Sequence, residues 1–263
     1  MRLILLIVLL AAMVLSGCRG GTSNVNSTGN GNGNGNANVG LSIKTPPPIK
    51  PVEPPNPNFK PCNAYFPLVP GSVAKYVINY SSGVVGDLTM VVDEGDENGR
   101  KVFIQRSQLI DRSGGMKIVQ TTIRRFACDG ERVQILSEKT DSNISGQPSS
   151  SDFEFRENSL MMTDPKSMLI KGSTWTHAFR QGFSSPDQPV ARSEEPVIVS
   201  FEVGSPEHVT TAIGTFTAVP VTRRIGDNLT VDHYVAGLGL VKRQAKEGTS
   251  WELKEYSGLK PQD

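Results

Sequence analysis

Apolar and polar residues alternate with a period of two through most of the chain after residue 62. Val197, Val199, Phe201 and Val203, for example, occupy every second position of one run. Turn-forming pairs such as Asn98-Gly99 and Asp129-Gly130 separate such runs at short intervals. Alternation of this kind is typical of half-buried strands, and the Gly-containing pairs favour tight hairpins. The pattern therefore predicts a mainly β domain, an antiparallel meander that forms a barrel or a strongly curved sheet.

The first 18 residues have the form of an export signal. Arg2 precedes an apolar run that is too short to span a bilayer as a helix and that ends in Leu15-Ser16-Gly17-Cys18. These four residues resemble the lipobox of bacterial lipoproteins, whose cysteine is lipidated and becomes the first mature residue. The resemblance implies a signal peptide at residues 1–18, lipidation of Cys18 and anchorage in the cell envelope. Arg19 replaces the aspartate typical of inner-membrane retention, which favours the outer membrane if the host is Gram-negative.

Residues 19–61 lack the alternating pattern. Their first part is dominated by Asn and Gly, and half of the residues from Pro46 to Pro61 are proline. The first part cannot bury enough apolar surface to offset its ordering entropy, and proline favours extended polyproline II. We expect a disordered tether followed by a stiffer spacer, which leads into one β-rich domain over residues 62–259. A proline-rich docking site for a partner is the alternative.

Charge and cysteine content limit the partners and the compartment. Removal of residues 1–18 takes one of the 27 basic residues and none of the 26 acidic ones, so the mature chain is formally neutral. Neighbours in a strand point to opposite faces, so pairs such as Arg223-Arg224 form no basic patch, and no nucleic-acid partner is expected. Cys62 and Cys128 remain in an oxidising envelope compartment such as the periplasm. A disulfide between them is expected there, with two free buried thiols as the alternative.

Both ends of the predicted domain resemble a broad group of uncharacterised bacterial envelope proteins. The opening similarity lies in Tyr65-Phe66-Pro67-Leu68 and Pro70-Gly71-Ser72. The closing similarity lies in Gly214-Thr215-Phe216 and Gly237-Leu238-Gly239-Leu240-Val241-Lys242. The resemblance implies a β-rich envelope fold and implies no activity.

The sequence contains none of the common catalytic signatures, such as HExxH, GxSxG, CxxC or a Walker motif. Its three histidines, His177, His208 and His233, lack chelating spacing, so neither a metal nor another cofactor is expected. The sequence favours a non-enzymatic, membrane-anchored module that binds a lipid, a glycan or another envelope protein. One alternative is an envelope hydrolase whose triad is assembled only in space. Another is a purely structural or assembly lipoprotein.

Six side chains are candidates for an apolar ligand pocket with one polar group on the concave face of the sheet. They are Tyr76, Ile78, Val199, Phe201, Val231 and His233. The alternation itself favours a simpler interpretation, in which the same residues are the filled core that any such domain requires.

Overall fold

A computed structural model describes residues 47–83, 85–111, 118–185, 188–193 and 195–262. The predicted signal peptide, Cys18 and the Asn/Gly-rich tether lie outside these residues. The described chain is built almost entirely of antiparallel strands. They are Val73–Asn79 (β1), Val85–Glu97 (β2), Arg100–Asp111 (β3), Ile118–Asp129 (β4), Arg132–Ile144 (β5), Gln147–Phe155 (β6), Leu160–Met162 (β7), Thr174–Ser185 (β8), Gln188–Arg192 (β9), Val197–Val203 (β10), Glu207–Thr211 (β11), Gly214–Ile225 (β12), Asn228–Val235 (β13), Gly239–Ala245 (β14) and Ser250–Ser257 (β15).

Twelve of these strands form a closed barrel, which confirms the predicted antiparallel β architecture and selects the barrel. Neighbours around the ring follow the order β10, β12, β13, β14, β15, β1, β2, β3, β4, β5, β6 and β8. Pairing of Thr174–Phe179 with Val197–Glu202 then joins β8 to β10 and closes the ring. The remaining strands lie outside it, where β7 pairs with β5, β9 with β8 and β11 with β12.

The end of the barrel at which β1 begins is closed by an apolar floor. Residues 62–68 contribute Tyr65 and Leu68, and the segment between β7 and β8 contributes Met168, all of them buried in one cluster with Phe126. A short 3-10 helix, Ser167–Leu169, carries Met168 into this cluster. The floor therefore blocks one end of the barrel with side chains that are distant in sequence.

Asn63 is the polar centre of the floor and is fully buried. Its side-chain amide donates hydrogen bonds to the carbonyl oxygens of Glu131 (2.7 Å) and Thr163 (2.8 Å). Its Oδ1 accepts from the backbone N–H groups of Tyr65 and Phe66, both at 2.9 Å. One side chain thus joins three chain segments with its own polar atoms satisfied, as burial requires.

The predicted disulfide is present and attaches the floor to the wall. Cys62 is bonded to Cys128, which lies 66 residues later near the end of β4. By loop-closure reasoning, a crosslink over this separation stabilises the fold by roughly 4 kcal/mol, because it restricts the unfolded chain.

Residues 47–61, termed the strap, pack against the outside of β2 and β3. Arg106 Nη2 donates to the Lys50 carbonyl oxygen (2.8 Å), and Gln108 Nε2 donates to that of Pro47 (3.3 Å). The Val52 N–H donates to Asp93 Oδ1 (2.7 Å). The sequence predicts only a stiff, extended spacer at these residues, and the contacts additionally attach it to the barrel. Proline removes backbone donors but keeps the acceptors, and donors on β3 meet two acceptors of this segment.

Two glycines allow the strap to approach the barrel closely. A Cβ atom added at Gly71 would overlap the backbone of Pro55, and one added at Gly258 would overlap the Pro55 ring. Farther along the strap, the Phe59 ring packs edge-on against Phe103, with 6.1 Å between ring centroids. Backbone contact at Pro55 and ring contact at Phe59 therefore hold the strap where the chain turns into the floor.

We expect Gly71→Ala to detach the strap, because the new methyl group cannot coexist with Pro55. Gly83→Ala is the matched control, since both glycines have φ of +81° and a Cβ at Gly83 would meet no atom within 4 Å. Both variants carry the backbone cost of a positive φ, so overlap should make Gly71→Ala less stable by roughly another 1–3 kcal/mol. Urea unfolding and limited proteolysis of residues 47–61 measure this. Equal stability and equal protection of the two variants would contradict the packed strap.

Candidate functional site

The barrel encloses a cavity of about 1070 Å³. A barrel of about eight strands is just wide enough for its own side chains to fill the interior, and the diameter grows with strand number. Twelve strands therefore leave space that the inward-facing side chains do not occupy. Several of the lining side chains, among them Tyr76, Ile78, Val199 and Phe201, are themselves buried in the apolar core clusters.

The cavity has two chemically different walls. Strands β3–β6 contribute a polar wall of amides and hydroxyls, and strands β6, β8 and β10 contribute an aromatic wall. The polar wall consists of Gln105, Ser107, Gln120, Thr122, Thr140, Ser142, Ser149 and Ser151. The aromatic wall consists of Phe153, Phe155, Phe179, Phe183 and Phe201. The interior is therefore amphipathic and could receive a molecule with both apolar and polar parts.

The cavity extends to the rim, which is the end of the barrel opposite the floor. Its lining includes Ser185 at the end of β8 and residues 226–228 in the β12–β13 turn. The rim is lower at this turn, because β12 ends opposite Val199, whereas the ladder between β6 and β8 continues to Ser184. The cavity lining therefore reaches the rim at its lower side.

A buried ion pair lies on the wall formed by β13 and β14. Arg243 donates to both carboxylate oxygens of Asp232, at 2.6 and 2.7 Å. Burial raises the pKa of the Asp232 carboxyl, but the charge and hydrogen bonds of Arg243 outweigh burial and hold the pKa below its usual range. The Arg243 guanidinium also lies over the Trp251 ring, 4.4 Å from its centroid. On the polar wall, Arg124 makes a second ion pair with Glu138 at 2.6 Å.

Arg223 is a third arginine of the cavity lining and differs from the other two. It lies on β12 directly opposite Phe201 of β10. No described residue accepts a hydrogen bond from its guanidinium or forms an ion pair with it. Burial and the nearby charge of Arg243 lower the pKa of Arg223, which still remains protonated at neutral pH.

His177 stands among the aromatic side chains of the cavity. Its Nδ1 lies 3.2 Å from the Leu160 carbonyl oxygen, which can only accept, so Nδ1 carries the proton. Its ring makes edge contacts with Phe155 and Phe201, at centroid distances of 5.5 and 5.2 Å. Burial lowers the pKa of His177 to about 4, so the ring is neutral at neutral pH.

The structure brings together four of the six predicted pocket residues. Tyr76, Ile78, Val199 and Phe201 line the cavity, whereas Val231 and His233 do not. His233 faces the outside of the barrel wall, where its Nε2 lies 2.7 Å from Glu207 Oε1 of β11. The sequence shows that β13 has a buried row, but it does not show that β11 covers the outer face of the barrel.

The sequence pattern does not single out the arginines of the cavity as a group, although it contains a signal for Arg223. Arg223 lies between Val221 and Ile225 in the row that faces the interior, where a charge is unexpected. Arg224, next to it, is exposed. The two side chains point to opposite faces, so the pair forms no patch, as predicted. Of the two, Arg223 contributes to the cavity lining.

Metal-binding and histidine–serine arrangements are two other types of site, and the described residues give the following geometry for them. No group of three or more His, Cys, Asp or Glu side chains there could hold a metal ion. His208 Nδ1 contacts the Thr217 hydroxyl at 3.5 Å, and no histidine of the described ranges hydrogen-bonds to a serine. Among the described residues, no helix has the length and apolar character needed to cross a bilayer.

Comparison with known proteins gives no match to a family model, to a curated protein or to a solved structure. Function must therefore be inferred from the cavity and its side chains.

We expect His177→Gln to flatten the dependence of stability on acid pH. The pKa of His177 falls from 6.5 to about 4 on folding, so the unfolded chain binds more protons between these values. The stabilisation that neutral His177 contributes is therefore complete above pH 6.5. It is lost as the pH falls toward 4, which lowers the free energy of unfolding by roughly 3 kcal/mol. Urea unfolding at several pH values measures this loss, with the exposed His208→Gln as control. Parallel curves for wild type and His177→Gln would rule out the effect.

Proposed function

We propose that the chain is a lipid-anchored envelope protein whose barrel binds a small amphipathic ligand. The observation that carries the proposal is the cavity of about 1070 Å³. Small-molecule sites are typically concave spaces of roughly 300–1,000 Å³, mostly apolar with a few placed polar groups. A closed floor, an aromatic wall and a polar wall match this description.

The proposed location is supported by two independent features. The sequence around Cys18 resembles a lipobox, and the disulfide between Cys62 and Cys128 is the kind of bond that persists in oxidising compartments. An acyl anchor would place the barrel close to a membrane, which is a source of amphipathic molecules. Among lipid, glycan and protein ligands, an envelope lipid fits the aromatic wall best.

Anchoring is tested at the mature N-terminus. Mass spectrometry of the protein from native membranes should find an N-terminal Cys18 that carries acyl chains. Cys18→Ala should leave an unprocessed and unlipidated precursor, because the lipidated thiol is lost. Cys62→Ala removes a cysteine outside the lipobox and should be lipidated normally. An unmodified mature N-terminus at any other residue would disprove the anchor.

Ligand binding is tested by filling the cavity. Val199 lines the cavity, while its neighbour Ile198 is 61% exposed on the opposite face of β10. The neutral dye N-phenyl-1-naphthylamine should bind the delipidated full chain saturably. Val199→Trp should weaken this binding about tenfold or more, because the indole occupies ligand space, whereas Ile198→Trp should bind like wild type.

Two outcomes would count against a binding cavity. One is the absence of saturable dye binding by the wild-type chain together with no co-purifying lipid in native mass spectrometry. The other is equal dye affinity of the two tryptophan variants when circular dichroism shows that both are folded.

A further inference from the structure

Arg223 is half-buried in the cavity wall, and its guanidinium has no hydrogen-bond or ion-pair partner among the described residues. A guanidinium in a partly apolar cavity loses hydration, and this loss is costly unless a counter-charge and hydrogen bonds replace it. Two carboxylates near Arg223 are each paired with another arginine. Asp232 already accepts two hydrogen bonds from Arg243 and one from the Tyr234 hydroxyl at 3.4 Å. Glu138 is paired with Arg124.

A further carboxylate of the lining, Asp227, lies in the exposed β12–β13 turn at the rim. The largest electrostatic influences on Arg223 from other residues are those of Arg243, Asp232, Tyr234 and Arg124. Two of these four groups are themselves cations. The surroundings of Arg223 therefore have room for one more negative charge.

Arg223 also has apolar side chains beside it in the cavity wall. Phe201, opposite Arg223, has the Trp175 ring stacked on it with centroids 4.9 Å apart. Val199 and Phe179 continue the apolar surface from this point along the cavity. A ligand held at Arg223 would therefore lay its apolar part against the aromatic wall.

We propose that Arg223 binds the anionic head group of the ligand, a carboxylate or a phosphate. A guanidinium offers paired N–H donors whose geometry matches both groups. The proposal rests on the proposed function, because it specifies the class of molecule that the cavity receives. The ligand is thus an anionic amphipath with an apolar tail, and Arg243 and Arg124 keep their own carboxylate partners.

The test compares head groups on one tail length. Dodecanoate, monododecyl phosphate, dodecanol and dodecyltrimethylammonium compete for the bound N-phenyl-1-naphthylamine on the delipidated full chain at pH 7.5. Wild type should prefer at least one of the anions to dodecanol by about tenfold or more, the usual range for a charge-assisted hydrogen bond. Which anion binds more tightly distinguishes a carboxylate ligand from a phosphate ligand.

Arg223→Gln should reduce this preference to about twofold, because the variant loses both the charge and the paired donors. Arg224→Gln removes the neighbouring, exposed arginine and should behave as wild type. If the glutamine variant fails to fold, Arg223→Lys keeps the charge without the paired donors and should give an intermediate preference.

Retention of the full anion preference by folded Arg223→Gln would overturn the inference. So would equal binding of dodecanol and both anions by wild type. In either case, dye binding that Val199→Trp weakens would leave the proposed function standing. Failure of wild type to bind the dye and every amphipath would instead refute the binding cavity itself.

Discussion

Six residue pairs between β8 and β10 convert an open sheet into a ring. Without them two strand edges would be left with unpaired backbone groups, and the two walls would have no fixed separation. Closure at twelve strands sets a diameter that inward side chains cannot fill. The cavity is therefore a result of strand number, and its chemistry is a result of which side chains the alternation turns inward.

The ring becomes a container because its two ends differ. At one end Asn63 and the disulfide between Cys62 and Cys128 hold the floor to the wall through covalent and hydrogen bonds. At the other end the β12–β13 turn lies below the end of the ladder between β6 and β8. Between them, two arginines are neutralised by carboxylates and a third is not. Among the described residues, this third arginine, Arg223, has no carboxylate paired with it.

The sequence predicts the fold class well, because a period of two and glycine-containing turns are local signals. It also predicts the disulfide, since Cys62 and Cys128 are the two cysteines outside the predicted lipobox. It does not predict ring closure, which depends on pairing between strands that are not consecutive. Nor does it predict which face of each strand points into the barrel. His233 and Phe201 occupy similar apolar rows, yet β11 covers His233 from outside, whereas Phe201 lines the cavity. Arg223 could have been recognised as a charge in an inward row, but its lack of a partner is visible only in three dimensions.

The strap has a mechanical consequence for a chain held at its N-terminus. Force applied ahead of Pro47 would load the contacts at Gln108, Arg106 and Asp93 one after another, because they follow each other along the same wall. Such peeling needs less force than shearing all of them together. It would release about 15 residues, or roughly 50 Å of extended chain, before tension reaches Cys62. There the disulfide transfers the tension directly to β4. The chain can therefore lengthen by the strap alone while the barrel stays closed.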